Sequence, residues 1–351
     1  GFFVFISLMR GSGDTITPMI VMFGTVVINV VLDPFLIFGF EANPLFGMLG
    51  LASLQTELFA ATGFTGMGIE GAAIATVFSR SLAMVVGIGI MVSGRRGIRI
   101  NPSDMWPDFE YLPKILRIGV PASIEGTGRA LSVNALLIVV GLFSTAVVAA
   151  FGIGTRVFSV IFLPAIAVAR GVETMSGQNI GAGNYDRAEA ANYLAAKGLF
   201  GILGVMGLVI FLLPTPIVAV FTNDPAVLAE GATFLRYTAL SFGFIGVMRA
   251  FTGGFRGAGK TLTAAAISIL TLGGIRLPVA YIASQFRLPI PYSDLIFGVR
   301  GIWVAFFVSN VAGATIAWLW FRRGTWRDGD VRGDEAATTL PDGVDAAADS
   351  D

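Results

Sequence analysis

Apolar residues run along this chain in stretches of about 20 with few charges among them, the length a helix needs to cross about 30 Å of hydrocarbon. Eight stretches predict complete spanning helices, at about 17–39, 70–93, 114–142, 146–169, 192–221, 228–252, 262–284 and 301–321. The opening run GFFVFISLM is apolar but too short to span, and reads as the last turns of a further helix. It has neither the basic start nor the small-residue cleavage site of a signal peptide. Between 40 and 69 the PLFGMLGL run suggests a helix lying in the membrane interface.

The pattern repeats. RGSGDTIT at 10–17 matches RGAGKTLT at 256–263, and each copy follows one apolar helix and opens another. GIEGAAIATVFS at 68–79 then matches GVRGIWVAFFVS at 298–309. Self-similarity of this kind marks two structurally equivalent halves. Four predicted helices precede Arg256 in the second half, whereas nine residues precede Arg10. The repeat therefore predicts two pseudo-symmetric six-helix bundles in an intact protein, with the first bundle incomplete here as two full helices and a stub.

Lys and Arg set the orientation, because cytoplasmic loops carry their excess. Every second connection holds them: Arg10; Arg95, Arg96, Arg99, Lys114 and Arg117; Arg170, Arg187 and Lys197; Arg256 and Lys260; Arg322, Arg323 and Arg327. The alternate connections hold only Arg287 and Arg300. Residues 328–351 carry eight acids against Arg332 and read as a solvated tail. The organisation expected of this all-α polytopic membrane protein is a first-lobe remnant at 1–93, a cytoplasmic linker at 94–113, a six-helix second lobe at 114–323 and an acidic disordered cytoplasmic tail at 324–351.

Composition changes the picture mainly by exclusion. The 351 residues are 55% hydrophobic and 13% charged, where a soluble domain carries about 25% charged residues. Cysteine and histidine are absent, which removes disulfides, Cys/His zinc sites and Ser-His-Asp triads. Gly254, Gly259, Lys260 and Thr261 satisfy the P-loop pattern, but a phosphate cradle needs a strand before it, and this copy lies between two membrane helices. Gly11, Gly13 and Asp14 fit the G-x-G-D of intramembrane aspartyl proteases without a second carboxylate to complete the dyad. No catalytic residue is expected.

An ionised carboxylate inside a membrane helix costs on the order of 2.5–3.5 kcal/mol and calls for a function. Asp33 is such a residue, with Asn29 one turn before it, Thr25 a turn earlier, and Pro34 directly after. Pro34 cannot bond the Val30 carbonyl and biases Asp33 away from helical geometry. Carbonyl, amide and carboxylate oxygens together suit Na⁺ or a proton relay; a pair between Asp33 and Arg80 is the structural alternative. Glu125 and Arg129 form a second candidate after Pro121, either as an i,i+4 ion pair or as a substrate or proton site. Arg80, Arg156, Arg236, Arg249 and Arg276 also fall inside apparent spans.

RGSGDTITPMI, the run from Asn29 to Pro34, GIEGAAIATVFSR and MSGQNIGAGNYDRA at 175–188 resemble the multidrug and toxic compound extrusion (MATE) family over nearly the whole chain. The resemblance implies two six-helix bundles around a cavity that opens alternately to each side. It implies an antiporter of the plasma membrane that exports organic, often cationic and amphipathic compounds in exchange for Na⁺ or H⁺. By that resemblance Asn29, Asp33 and Thr76 fall on the first-lobe cation site, and Glu125 on a second-lobe carboxylate. The expected partners are the lipid bilayer and small organic substrates, without nucleic acid, cofactor or a second subunit. A flippase for lipid-linked saccharides or phospholipids is the alternative, whose anionic head groups would suit the membrane arginines.

Overall fold

The structure is a computed structural model that describes residues 1–94, 100, 109, 111–285 and 296–328, without the side chain of Lys114. Arg95, Arg96, Arg99, Arg287 and the acidic residues beyond 328 lie outside the described residues. Every regular element among the described residues is helical. The chain divides into two compact units, 1–108 and 109–351.

The first unit contains α1 (Phe2–Gly11), α2 (Ile16–Phe38), α3 (Pro44–Met48), α4 (Ala52–Thr62) and α5 (Gly68–Ser93). The short α3 and α4 occupy the segment where the sequence suggested an interfacial helix. Along α5 the buried positions are Gly71, Ala75, Ser79, Ala83, Gly87 and Met91, a stripe of small residues at every fourth place. Small residues let membrane helices approach closely. A Cβ on Gly71 would stand 2.2 Å from the Leu36 carbonyl oxygen of α2, and one on Gly87 would stand 2.7 Å from the Phe5 ring of α1. Pro34 does not release Asp33 from helical geometry: α2 continues from Ile16 through Phe38. Membrane helices keep an internal proline when nearby polar groups take up freed backbone atoms. Asn43, buried beyond the helix end, donates from Nδ2 to the carbonyls of Pro34 (3.1 Å) and Gly39 (3.0 Å). Its Oδ1 accepts from the Leu45 amide at 3.1 Å and caps α3.

The second unit contains α6 (Tyr111–Val140), α7 (Thr145–Gly181), α8 (Tyr185–Leu212), α9 (Pro214–Ala219), α10 (Pro225–Ala239), α11 (Phe242–Gly257), α12 (Thr261–Ile269), a π-helical segment (Leu270–Arg276), α13 (Leu277–Gln285) and α14 (Val299–Arg322). Among the described residues, seven continuous helical stretches are long and apolar enough to cross a membrane. The eighth expected span, 228–252, is broken between α10 and α11. Ser241 explains the break: its hydroxyl donates to the Thr238 carbonyl at 2.6 Å and accepts from Asn310 of α14 at 2.8 Å, so a side chain takes over a backbone acceptor. Pro214 likewise separates α9 from α8. The tail begins later than expected, since Trp326 is 1% exposed and stacks on Phe321 with ring centres 5.0 Å apart.

Both copies of the repeat fold alike. Gly13 (φ +92°) and Gly259 (φ +74°) take the left-handed conformation. The amides of Gly13 and Asp14 bond the carbonyls of Arg10 and Met9, and those of Gly259 and Lys260 bond the carbonyls of Arg256 and Phe255. This is the paired closure of a glycine-ended helix. Asp14 then accepts from the amides of Ile16 and Thr17 and from the Thr17 hydroxyl. The P-loop and protease patterns are therefore helix-to-helix turns.

Helix α11 carries glycines where it meets α7. A Cβ on Gly253 would stand 2.6 Å from the Ala169 carbonyl oxygen, and one on Gly257 would stand 2.3 Å from that of Glu173. Backbone carbonyls cannot rotate aside, so Gly257→Ala should destabilise the second unit by about 1–3 kcal/mol. A denaturation midpoint unchanged by this substitution would show that α7 and α11 separate freely.

Candidate functional site

In the first unit Asn29 and Asp33 are both half-buried on α2, and Asn29 Nδ2 donates to Asp33 Oδ1 at 3.1 Å. The i,i+4 spacing of the sequence therefore becomes a direct amide–carboxylate contact. No ion pair between Asp33 and Arg80 forms among the described residues. Thr25 and Thr76 turn their hydroxyls to carbonyls of their own helices, those of Val21 and Ala72, each at 2.9 Å. No hydrogen bond joins Thr76 to Asn29 or Asp33. The pair offers a carboxylate with its second oxygen available and an amide oxygen turned from the shared bond, the kind of donor a bare cation requires.

In the second unit Glu125 does not pair with Arg129. Its Oε1 accepts from Arg256 Nη2, in an ion pair that reaches from α6 to the repeat turn of α11, and from the Ser268 hydroxyl of α12 at 2.8 Å. Glu125 is 9% exposed. A buried carboxylate is stable where its lone pairs are met by charged and neutral donors together. Arg129, one turn along α6, lines the same cavity, which holds about 340 Å³ and is also lined by Arg170, Glu173 and Arg249. The sequence marked Glu125 and offered the nearest arginine on its own helix as one of two readings. The signal for the true partner was Arg256 in the repeated RGxG turn.

The family profile described as MatE matches residues 121–282. A protein of Thermotoga maritima named as a probable multidrug resistance protein, NorM, is 29% identical over 92% of this chain. The chain is similar to the multidrug and toxic compound extrusion (MATE) family. It spans 63% of the length of that relative. A protein of Shewanella oneidensis named as an FAD transporter is 24% identical, over 88% of this chain and 65% of its own length. The crystal structure of the Vibrio cholerae MATE transporter VcmN in the bent form shares the fold, with a TM-score of 0.75, 23% identity, and coverage of 93% of this chain and 66% of that one.

Two features of the second unit were not legible beforehand. GQNIGAGN, expected as a loop, is mostly helix: α7 runs on to Gly181, the turn falls at Ala182 to Asn184 with Gly183 at φ +76°, and Tyr185 already opens α8. The second is the π-helical segment Leu270–Arg276. Such turns are rare and collect at functional places. Here the segment ends on Arg276, which donates to Ser309 Oγ (2.8 Å) and Asn310 Oδ1 (2.7 Å) and covers the Phe306 ring. Asn310 in turn reaches Ser241, so one polar chain joins the π segment, α14 and the α10–α11 break. The adjacent Ser309 and Asn310 in an apolar helix were the available signal.

Proposed function

We propose that the protein is a secondary antiporter of the plasma membrane, its C-terminus cytoplasmic, that exports small organic compounds in exchange for Na⁺ or H⁺. Asp33 with Asn29 is the coupling site, Thr76 supplies a further neutral ligand after a rotamer change, and the protein acts as a monomer. The observation that carries this reading is a carboxylate inside a spanning helix whose only hydrogen bond among the described residues comes from an amide rather than from a cation: a coupling ion fits where an arginine would otherwise stand. Similarity to a family that includes multidrug export proteins supports the direction of transport, and the alternating Lys and Arg support the orientation.

The test is efflux from membrane vesicles of cells expressing the natural gene, preloaded with a fluorescent dye. An opposing Na⁺ or pH gradient should accelerate dye release, and an ionophore that collapses the gradient should abolish the acceleration. Gradient-independent redistribution of a labelled phospholipid, without dye release, would replace the antiporter with the flippase.

A further inference from the structure

We propose that the cavity of the second unit receives the anionic head, carboxylate or phosphate, of an organic compound. Four arginines, Arg129, Arg170, Arg249 and Arg256, line it against two carboxylates, Glu125 and Glu173. Both carboxylates are already engaged. Glu125 accepts from Arg256 and Ser268, and Glu173 faces Arg170 at 3.6 Å. Arg129 and Arg249 form no ion pair among the described residues, and Glu125, the carboxylate whose charge reaches Arg249, is bonded to Arg256. The Arg249 Nε is buried without any hydrogen-bond partner, and its guanidinium leans over the Phe162 ring at 5.6 Å. A guanidinium held among spanning helices without an ion pair of its own is costly and marks a ligand path, and its planar donor fork matches the two oxygens of a carboxylate or phosphate.

Three further features agree with an anion. Thr261, the first residue of α12, lines the cavity, so the electropositive end of that helix adds to the arginines. Ile118, Ala122 and Ile166 give the wall an apolar side for the body of an amphiphile. The volume of about 340 Å³ falls within the roughly 300–1,000 Å³ of small-molecule pockets. Gly253 and Gly257 hold α11 against α7 and so fix the arginines of one helix opposite the pair on the other. This inference rests on the transporter reading only for where the compound goes next; the binding itself needs no gradient.

The test is equilibrium binding of carboxyfluorescein, followed by anisotropy, to the 351-residue protein in phosphatidylcholine nanodiscs. Binding should saturate and weaken at high salt. Arg129→Gln and Arg249→Gln should each weaken it about tenfold or more, since a hydrogen bond to a charged group contributes about 1.5–3 kcal/mol. Arg249→Lys should keep the charge but lose the fork and so fall between wild type and Arg249→Gln, which separates lost charge from lost packing, and Arg322→Gln should change nothing. Displacement by citrate identifies a soluble anion as the occupant. Dye binding suppressed by phosphatidylglycerol nanodiscs, and not by citrate, identifies a lipid head group. Equal binding by wild type and both glutamine variants would overturn the proposal. So would ethidium binding that those variants strengthen, or the absence of both saturable dye binding and any effect of phosphatidylglycerol. Preserved dye binding with failed gradient-driven efflux would remove the antiporter alone.

Discussion

Asp33→Asn should abolish the part of dye efflux that depends on an ion gradient while leaving the protein folded in the membrane. The amide keeps the shape of the carboxylate and can still meet Asn29, which now donates to Asp33 at 3.1 Å. What it lacks is charge. A cation shifts a transporter between two arrangements only by its differential affinity for them, and couplings of that kind are worth roughly 5–150-fold. Gradient acceleration should therefore fall by that whole factor, to the rate seen with the gradient collapsed. Asn29→Ala deletes one neutral donor and should reduce cation affinity less. Protons compete with Na⁺ for the same oxygen, so activity falls at low pH if Na⁺ is the coupling ion. Efflux by Asp33→Asn that still follows the gradient would move coupling to another carboxylate, with Glu125 the first to examine.

Glu125→Ala should destabilise the second unit by about 3 kcal/mol, because removing one partner of a buried pair leaves the other charge without compensation. The figure stands at the low end of its range because the Arg256 side chain keeps 18% exposure to the cavity. Ser268→Ala removes only a neutral donor at 2.8 Å and should cost about 1 kcal/mol. Glu125→Gln combined with Arg256→Gln should recover most of the loss, since no charge is then stranded. Chemical denaturation of the three variants checks the series. A double variant as unstable as Glu125→Ala would show that the contact matters through packing rather than charge.

The two sites differ in how far the sequence revealed them. Asn29 and Asp33 share a helix, and spacing along one helix translates directly into contact. Glu125 and Arg256 lie on α6 and α11, more than a hundred residues apart. Nothing in local spacing ranks Arg256 above Arg129 as a partner; the packing of α6 against α12, the helix that follows the Arg256 turn, ranks it. The same distinction separates correct spans from incorrect ones. The hydrophobic run at 228–252 was visible, whereas the break at Ser241 depends on Asn310 arriving from α14.

By itself the sequence determined the helical class, the membrane-length spans, the repeated RGxG turn, and the carboxylate that a membrane helix does not carry without reason. These follow from hydropathy and from backbone conformation, properties that act over a few residues at a time. Tertiary structure alone decided which arginine neutralises Glu125, that Arg249 has no ion pair among the described residues, that Trp326 is buried rather than part of the tail, and that the helix beyond Ser268 opens into a π segment anchored by Arg276. Each of these turns on contacts between helices far apart in the chain, where electrostatic pairing and close packing are selected by three-dimensional proximity and leave no fixed spacing in the sequence.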